Sequence, residues 1–326
     1  MSTPLKRLVA RSWFLILLAC VLVLGFAMPG ILEQATRHLS LDWVVALILF
    51  LMALALDSSS LRTAFIRPRA LLLGVAVNFG LAPPLAWLAA QAFSGDLSLG
   101  MIVIGCVPCT LVSAVVWTRR AEGNEAVAML VTLATSLACF AVTPLWLGVL
   151  TGRLVEGELS FERMMLKLGL TVALPIVVGQ VLRRIEAVQQ VADRWRASIS
   201  VAAQIGVLIT VFAGATHAGG RLQGVSDAIP TLGEWILLGT LTITLHMALV
   251  AAGYFGAQLA GVARPERIAV AFSGSQKTLP IGLLVAAQFG GLVLLPMIVY
   301  HVVQLLVDTL IADRMRMHAN ALSLHQ

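Results

Sequence analysis

The stretch Ala271–Gly282 reads AFSGSQKTLPIG and lies inside an apolar run over 265–289. It puts two serines, two glycines, a glutamine, a lysine, a threonine and a proline where a spanning helix carries aliphatic side chains. An unpaired lysine at the centre of a bilayer costs about 2.5–3.5 kcal/mol on insertion scales. A helix broken at this point removes the conflict, provided protein or a water-filled cavity encloses the break. The fold then depends on how many such runs the chain has and where their breaks fall.

The surrounding composition is that of an integral membrane protein. Of 326 residues, 59% are hydrophobic and 12% charged, where soluble domains carry about 25% charged residues. Mean hydropathy is +0.95. The runs have helical length, and alternating strand-length segments are missing, which argues against a barrel. A pI near 9.7 would suit a nucleic-acid binder if the basic residues clustered on a soluble domain. They sit instead in short loops between apolar runs, so nucleic acid is not an expected partner. Cys20, Cys106, Cys109 and Cys139 all fall within apolar runs. Cys106 and Cys109 have CxxC spacing without a second ligand pair, so buried thiols are expected rather than a metal or redox centre. Met1–Met28 has the shape of a signal peptide, but removing it would leave an odd number of spans, so a retained first helix is expected.

Ten spans are predicted, over about 12–29, 41–56, 70–92, 97–118, 123–150, 161–182, 198–218, 231–260, 265–289 and 291–312. Sixteen of the 22 Lys and Arg residues fall on one side of this arrangement: Lys6, Arg7, Arg11, Arg62, Arg67, Arg69, Arg119, Arg120, Arg183, Arg184, Arg194, Arg196, Arg264, Arg267, Arg314 and Arg316. Arg37, Arg153, Arg163, Arg221 and Lys167 fall on the other. The basic side is cytoplasmic by the positive-inside rule, so both termini lie inside. The expected location is the inner (plasma) membrane of a bacterium.

The spans divide five and five. An odd number per half inserts the second half upside down, the inverted-repeat plan of many secondary transporters. Span four carries Gly105 and Pro108, and span nine carries Gly274 and Pro280. Interruptions at corresponding places in two halves point to a binding site at the membrane midplane. The fold class is therefore an all-α polytopic membrane protein: ten transmembrane helices in two inverted five-helix repeats, with helices four and nine broken and crossing.

At this point the residues resemble a family. GVAVNFGLAPPLAW (74–87), PCTLVSAVVWTRRAEGNEAVAMLVTLAT (108–135), SGSQKT (273–278) and YHVVQLLVD (300–308) are similar to segments of the bile acid:sodium symporter family. SGSQKT matches its SBF-like branch best. The resemblance covers nearly the whole chain. It implies a core domain (70–150 and 231–313), a panel domain (1–69 and 151–230) and a cytoplasmic tail (314–326). It also implies two sodium sites in sodium-coupled members. At the first, this chain has Ser113, Ala114, Ala128, Thr132 and Phe272; at the second, Asn78, Phe272 and Gln276. Phe272 stands where the family's glutamate would be. A hard cation wants oxygen ligands, and losing the carboxylate weakens binding. Sodium as a bound cofactor is therefore argued against, and no other cofactor or metal site is expected.

Lys277 appears where that site is dismantled. Its ammonium is expected to replace the ion and meet carbonyls at the half-helix ends, where the dipole favours positive charge. Ser113, Thr132, Asn78 and Gln276 are its expected side-chain partners. Snorkelling is the plain alternative, but Arg267 is ten residues away, roughly 15 Å along a helix. The candidate substrate or ion site comprises Asn78, Ser113, Thr132, Ser275, Gln276, Lys277, Thr278 and His301. Asn78, Ser113 and Thr132 could instead bond helix carbonyls. His301 and Asp308 share a helix face, with Asp308 nearer the cytoplasmic end. His246 and Glu234 read as structural. Asp57–Ser60 reads as a cytoplasmic cap, and Arg184–Arg196 as an interfacial linker anchored by Trp195.

The expected function is secondary active transport of an amphipathic organic anion, of bile-acid or sterol-conjugate type, by alternating access and independent of sodium. Two alternatives stand beside it: a proton-coupled or uncoupled exporter with Lys277 titrating, and a non-transporting membrane regulator of the same fold. No Ser/His/Asp set, HExxH, P-loop or dinucleotide fingerprint is present, so an enzyme is not expected. Substrate, direction and a homodimer are left open.

Overall fold

The computed structural model describes residues 4–29, 39–56, 68–152, 160–224 and 230–323. The Asp57–Ser60 cap lies outside them. The described residues form helices joined by turns, with no strand among them. We number them α1 (Pro4–Ala27), α2 (Leu41–Ala55), α3 (Pro68–Ala90), α4 (Gly95–Cys106), α5 (Ser113–Arg120), α6 (Glu125–Thr151), α7 (Phe161–Leu182), α8 (Glu186–Arg194), α9 (Arg196–Gly224), α10 (Leu232–Leu259), α11 (Arg264–Ser275), α12 (Leu279–Phe289) and α13 (Leu294–Ser323). Seven described stretches are long and apolar enough to cross a membrane, counting Arg264–Phe289 as one; Ile16–Ala27, Leu41–Ala55 and Gly95–Cys106 are shorter apolar helices. The chain is a multi-pass membrane protein.

Local chemistry sets the ends of several helices. Asn124 caps α6 by accepting from the N–H groups of Ala126 and Val127, and Gly152 closes it at φ 65°, a left-handed turn that glycine makes freely. Thr231 and Glu234 form a capping box at the start of α10. Arg184–Arg196 is the short helix α8 and its flanks, with Trp195 exposed.

Both predicted breaks are present. α4 ends at Cys106, residues 107–112 are irregular, and α5 starts at Ser113. α11 ends at Ser275, and Gln276 and Thr278 are extended before α12. Pro280 falls in the first turn of α12, where its missing N–H costs nothing. The second broken span is wholly buried by protein: 100% of its apolar window, against 22% for α7. That burial meets the condition for irregular backbone at membrane depth.

α1 and α2 pack on α9, and α2 also on α7. α10 packs on α11 and α13, α11 on α3 and α6, and α4 on α3 and α13. Small residues permit the close approaches. A Cβ on Gly105 would lie 2.6 Å from Ala86 Cβ and 2.9 Å from Ala82 O.

Ends assigned to one side by charge also touch. Arg120 forms a two-pronged pair with Asp313 at 2.7 and 2.6 Å, Arg264 donates to Met315 O at 3.0 Å, and Asn124 N–H donates to Pro265 O at 2.8 Å. From the opposite side, Asp96 accepts from Leu292 N–H at 2.6 Å, and Lys167 pairs with Asp42 at 3.1 Å. At the other end of the α2–α7 pair, Arg183 donates to Leu54 O at 2.7 Å, so these two helices run parallel.

Candidate functional site

The site is built by helix ends whose backbone needs partners. The last carbonyls of any helix lack an intrahelical donor, and buried ones must find another. At the end of α4, Cys106 O accepts from the Thr143 hydroxyl at 2.7 Å. Lys277 Nζ donates to the two on either side, Gly105 O at 2.9 Å and Val107 O at 3.0 Å. Its third bond goes to Asn78 O at 2.8 Å. An ammonium has three hydrogens and no lone pair, so these bonds satisfy it completely.

Asn78 O is free because α3 is distorted there. Residues Ala76–Leu81 form a π-bulge, in which Ala82 N–H reaches back to Val77 O. The next residue, Pro83, has no N–H. Neither can serve the Asn78 carbonyl, which is left for Lys277. π-bulges often mark functional sites.

The end of α11 is satisfied reciprocally. Asn78 Nδ2 donates to Ser273 O at 3.4 Å and to Gly274 O and Gln276 O at 3.1 Å each. Tyr300 OH donates to Ser275 O at 2.8 Å. Gln304 clamps the Lys277 backbone: Oε1 accepts its N–H and Nε2 donates to its C=O, both at 2.9 Å. Thr278 N–H donates to Pro108 O at 3.0 Å, so the two breaks are bonded directly to each other. Asn78 Oδ1 and Gln276 Oε1 are buried without a hydrogen-bond partner among the described residues.

A profile of the SBF-like CPA transporter family matches residues 12–317. The chain belongs to this family. It is 28% identical to an uncharacterised protein of Pseudomonas aeruginosa, over 96% of this chain and 95% of that one. It is 23% identical to sodium/bile acid cotransporter 7 of Danio rerio, over 93% of each. It is 25% identical to the probable chloroplastic sodium/metabolite cotransporter BASS4 of Arabidopsis thaliana, over 67% of this chain and 52% of that one.

In this SBF-like chain, Asn78, Ser275, Gln276, Lys277 and Thr278 converge where the breaks meet. The lysine meets carbonyls at the end of α4, as expected, but not the expected side chains. None of the three Nζ bonds reaches a side chain of Ser113, Thr132, Asn78 or Gln276; all go to backbone carbonyls. Thr132 donates to Met129 O on its own helix at 2.8 Å. Ser113 pairs with the Thr110 hydroxyl at 2.5 Å. Gln276 Nε2 donates to Asp308 Oδ2 at 2.6 Å. His301 accepts from Gln304 at 2.8 Å through Nδ1 and stands edge-on to Phe14 of α1.

Sequence reasoning missed Gln304 and undervalued Asp308 and His246. His246 Nε2 lies 2.8 Å from Asp308 Oδ1, and His246 Nδ1 lies 3.2 Å from Tyr300 OH. Tyr300, Gln304 and Asp308 recur at four-residue intervals on α13, so they form one stripe facing the break. That spacing is the signal that could have found them.

The residues present do not fit the two sodium ligand sets implied by the resemblance. Phe272 is buried at the carboxylate position. The Lys277 ammonium already takes the carbonyls at the end of α4. Asp308 is committed to Gln276 and His246.

Proposed function

We propose that the chain is a secondary active transporter that moves an amphipathic organic anion by alternating access. Lys277 acts in it as a tethered cation in place of a bound sodium ion. The observation that carries the reading is the ammonium of Lys277 on three backbone carbonyls where two broken spans meet. The names of two relatives, a sodium/bile acid cotransporter and a probable sodium/metabolite cotransporter, support a small organic substrate of this class.

In this reading ten helices form two inverted repeats, with α4–α5 and α11–α12 as the crossing broken spans. The contact between the breaks, the clustering of same-side ends and the parallel run of α2 and α7 all agree with it. The panel is α1, α2, α7 and α9. The core is α3–α6 with α10–α13. The core moves against the panel, by rocking or as an elevator, while the bonds at the breaks hold the site together. Asn78, Ser275, Gln276, Lys277 and Thr278 hold the breaks. Ser113 and His301 lie at the edge, and His301 looks toward α1, where an anion between core and panel would meet it. Thr132 belongs to the wall. The protein is placed in the inner membrane of a bacterium with both termini cytoplasmic.

The test is uptake of a radiolabelled conjugated bile acid by liposomes containing the purified protein. The expected result is saturable uptake that is equal with sodium or potassium outside. Uptake that requires a sodium gradient would restore cation coupling. Uptake no greater than in protein-free liposomes would remove the bile-acid class from the reading.

A further inference from the structure

We propose that the buried pair His246–Asp308 is a proton-binding site whose occupancy controls how firmly α13 holds the end of α11. This goes beyond the transport reading and stands on the geometry of the break alone.

The hydrogens around the pair can be counted. Ser275 O is a carbonyl and only accepts, so Tyr300 OH spends its single hydrogen there, at 2.8 Å. The Tyr300 oxygen can then only accept from His246 Nδ1, 3.2 Å away. His246 Nδ1 therefore carries a hydrogen. A second hydrogen lies between His246 Nε2 and Asp308 Oδ1 at 2.8 Å. It belongs either to an imidazolium facing a carboxylate or to a carboxylic acid facing a neutral imidazole. Both arrangements hold the same number of protons, and both are neutral overall. The tie to Gln276 Nε2 at 2.6 Å fits both.

Loss of one proton to water leaves one ring hydrogen for two acceptors. The carboxylate is the stronger, so the hydrogen moves to Nε2 and Nδ1 becomes bare. Tyr300 then has one hydrogen for both Nδ1 and Ser275 O. Bonding Nδ1 releases the Ser275 carbonyl, one residue before the break. The protonated pair thus grips both residues preceding Lys277, through Tyr300 and through Gln276. The deprotonated pair keeps only Gln276 and adds a negative charge to the buried core.

Other ionisable groups are few. Beside Asp308, α13 carries Tyr300 and His301, the latter engaged with Gln304 and Phe14, and Asp313, Arg314, Arg316 and His318 toward its C-terminal end, while α10 adds Glu234 and Tyr254. The α11–α12 break contributes Lys277, with its three hydrogens taken. The α4–α5 break contributes the buried Cys109 thiol. α11 carries Arg264, Glu266 and Arg267 at its far end, and the only ionisable residue of α3 is Arg69 at its start. α5 offers Arg119 and Arg120, bonded to Glu125 and Asp313.

Hydrogen–deuterium exchange of the full-length protein in detergent tests the proposal. Protection of the Gln276–Thr278 amides is followed across about pH 5–8, the range in which histidine is the usual titrating side chain, and corrected for intrinsic exchange. In the wild type, protection should fall several-fold as pH rises. In Tyr300→Phe, whose fold is checked by thermal melting, it should be low and independent of pH. In Asp308→Asn it should be independent of pH. Proton release over the same range should exceed that of Asp308→Asn by one proton per chain. If Asp308→Asn does not fold, Tyr300→Phe alone carries the comparison. Flat protection in the wild type would overturn the proposal, as would a wild-type pH response retained in Tyr300→Phe.

Discussion

The three hydrogens of the Lys277 ammonium go to three different backbone carbonyls, at 2.8, 2.9 and 3.0 Å. Removing the amine therefore bares Asn78 O, Gly105 O and Val107 O together. Each buried carbonyl left without a donor costs about 1–3 kcal/mol. Lys277→Met should lower the melting temperature by several degrees in a detergent melt. Arginine is no remedy, because a planar fork cannot copy three diverging bonds in a closed pocket. Thr132→Val makes the opposite case. Its hydroxyl serves its own helix through Met129 O, so the substitution should leave both melting temperature and liposome uptake near wild type. Residue type could not separate these cases in advance. A threonine in a span reads the same whether it lines a site or bonds its own helix. The lysine was conspicuous because an ammonium at membrane depth needs an explanation. Carbonyls at the half-helix ends were the expected partners, but which carbonyls stayed hidden, because main-chain atoms leave no mark in the residue types. What frees Asn78 O is a π-bulge followed by Pro83, which is legible only once the helix is seen.

The broken helices work as elements because other elements cap them. Asn78 covers three carbonyls at the end of α11, Lys277 covers two at the end of α4, and Gln304 holds the Lys277 backbone at both its N–H and its C=O. Gln304→Ala leaves the lysine in place but frees its backbone. The expected outcome is faster exchange of the Lys277 amide, with a loss of about 1–3 kcal/mol in a chemical-denaturation series. Packing tolerates even less at Gly105. A Cβ there would meet Ala86 Cβ at 2.6 Å and the α3 backbone at 2.9 Å. No flexible side chain can yield, so Gly105→Val should prevent recovery of folded protein by size-exclusion chromatography. Gly105, Pro108, Gly274 and Pro280 marked both interruptions in the sequence. The His246–Asp308 pair did not announce itself, because its members lie 62 residues apart and only the packing of α10 on α13 joins them.

At the scale of the whole molecule, the sidedness expected from the charge count can be set beside the contacts. Arg120 with Asp313, Arg264 with Met315, and Asn124 with Pro265 bring together loops that the basic residues assign to one side. Cysteines introduced at the exposed Gln91, before α4, and Gln258, before α11, should react oppositely with an impermeant maleimide on intact cells: Gln91→Cys labelled, Gln258→Cys protected until lysis. Equal labelling would undo the topology. The length and number of the apolar runs made the helices legible. What the broken spans hold was less so, since it depends on which atoms fill the space where they meet.

The most direct test of the tethered cation is the thermal stability of the purified protein in detergent, with sodium or potassium at matched ionic strength. A ligand that binds only the folded state raises stability by mass action. Wild type should melt at the same temperature in both salts, and Lys277→Ala, with a pocket of bare carbonyls, should gain a response to the cation. Sodium-specific stabilisation of the wild type would contradict the account, because the position assigned to the lysine's charge would then belong to an ion.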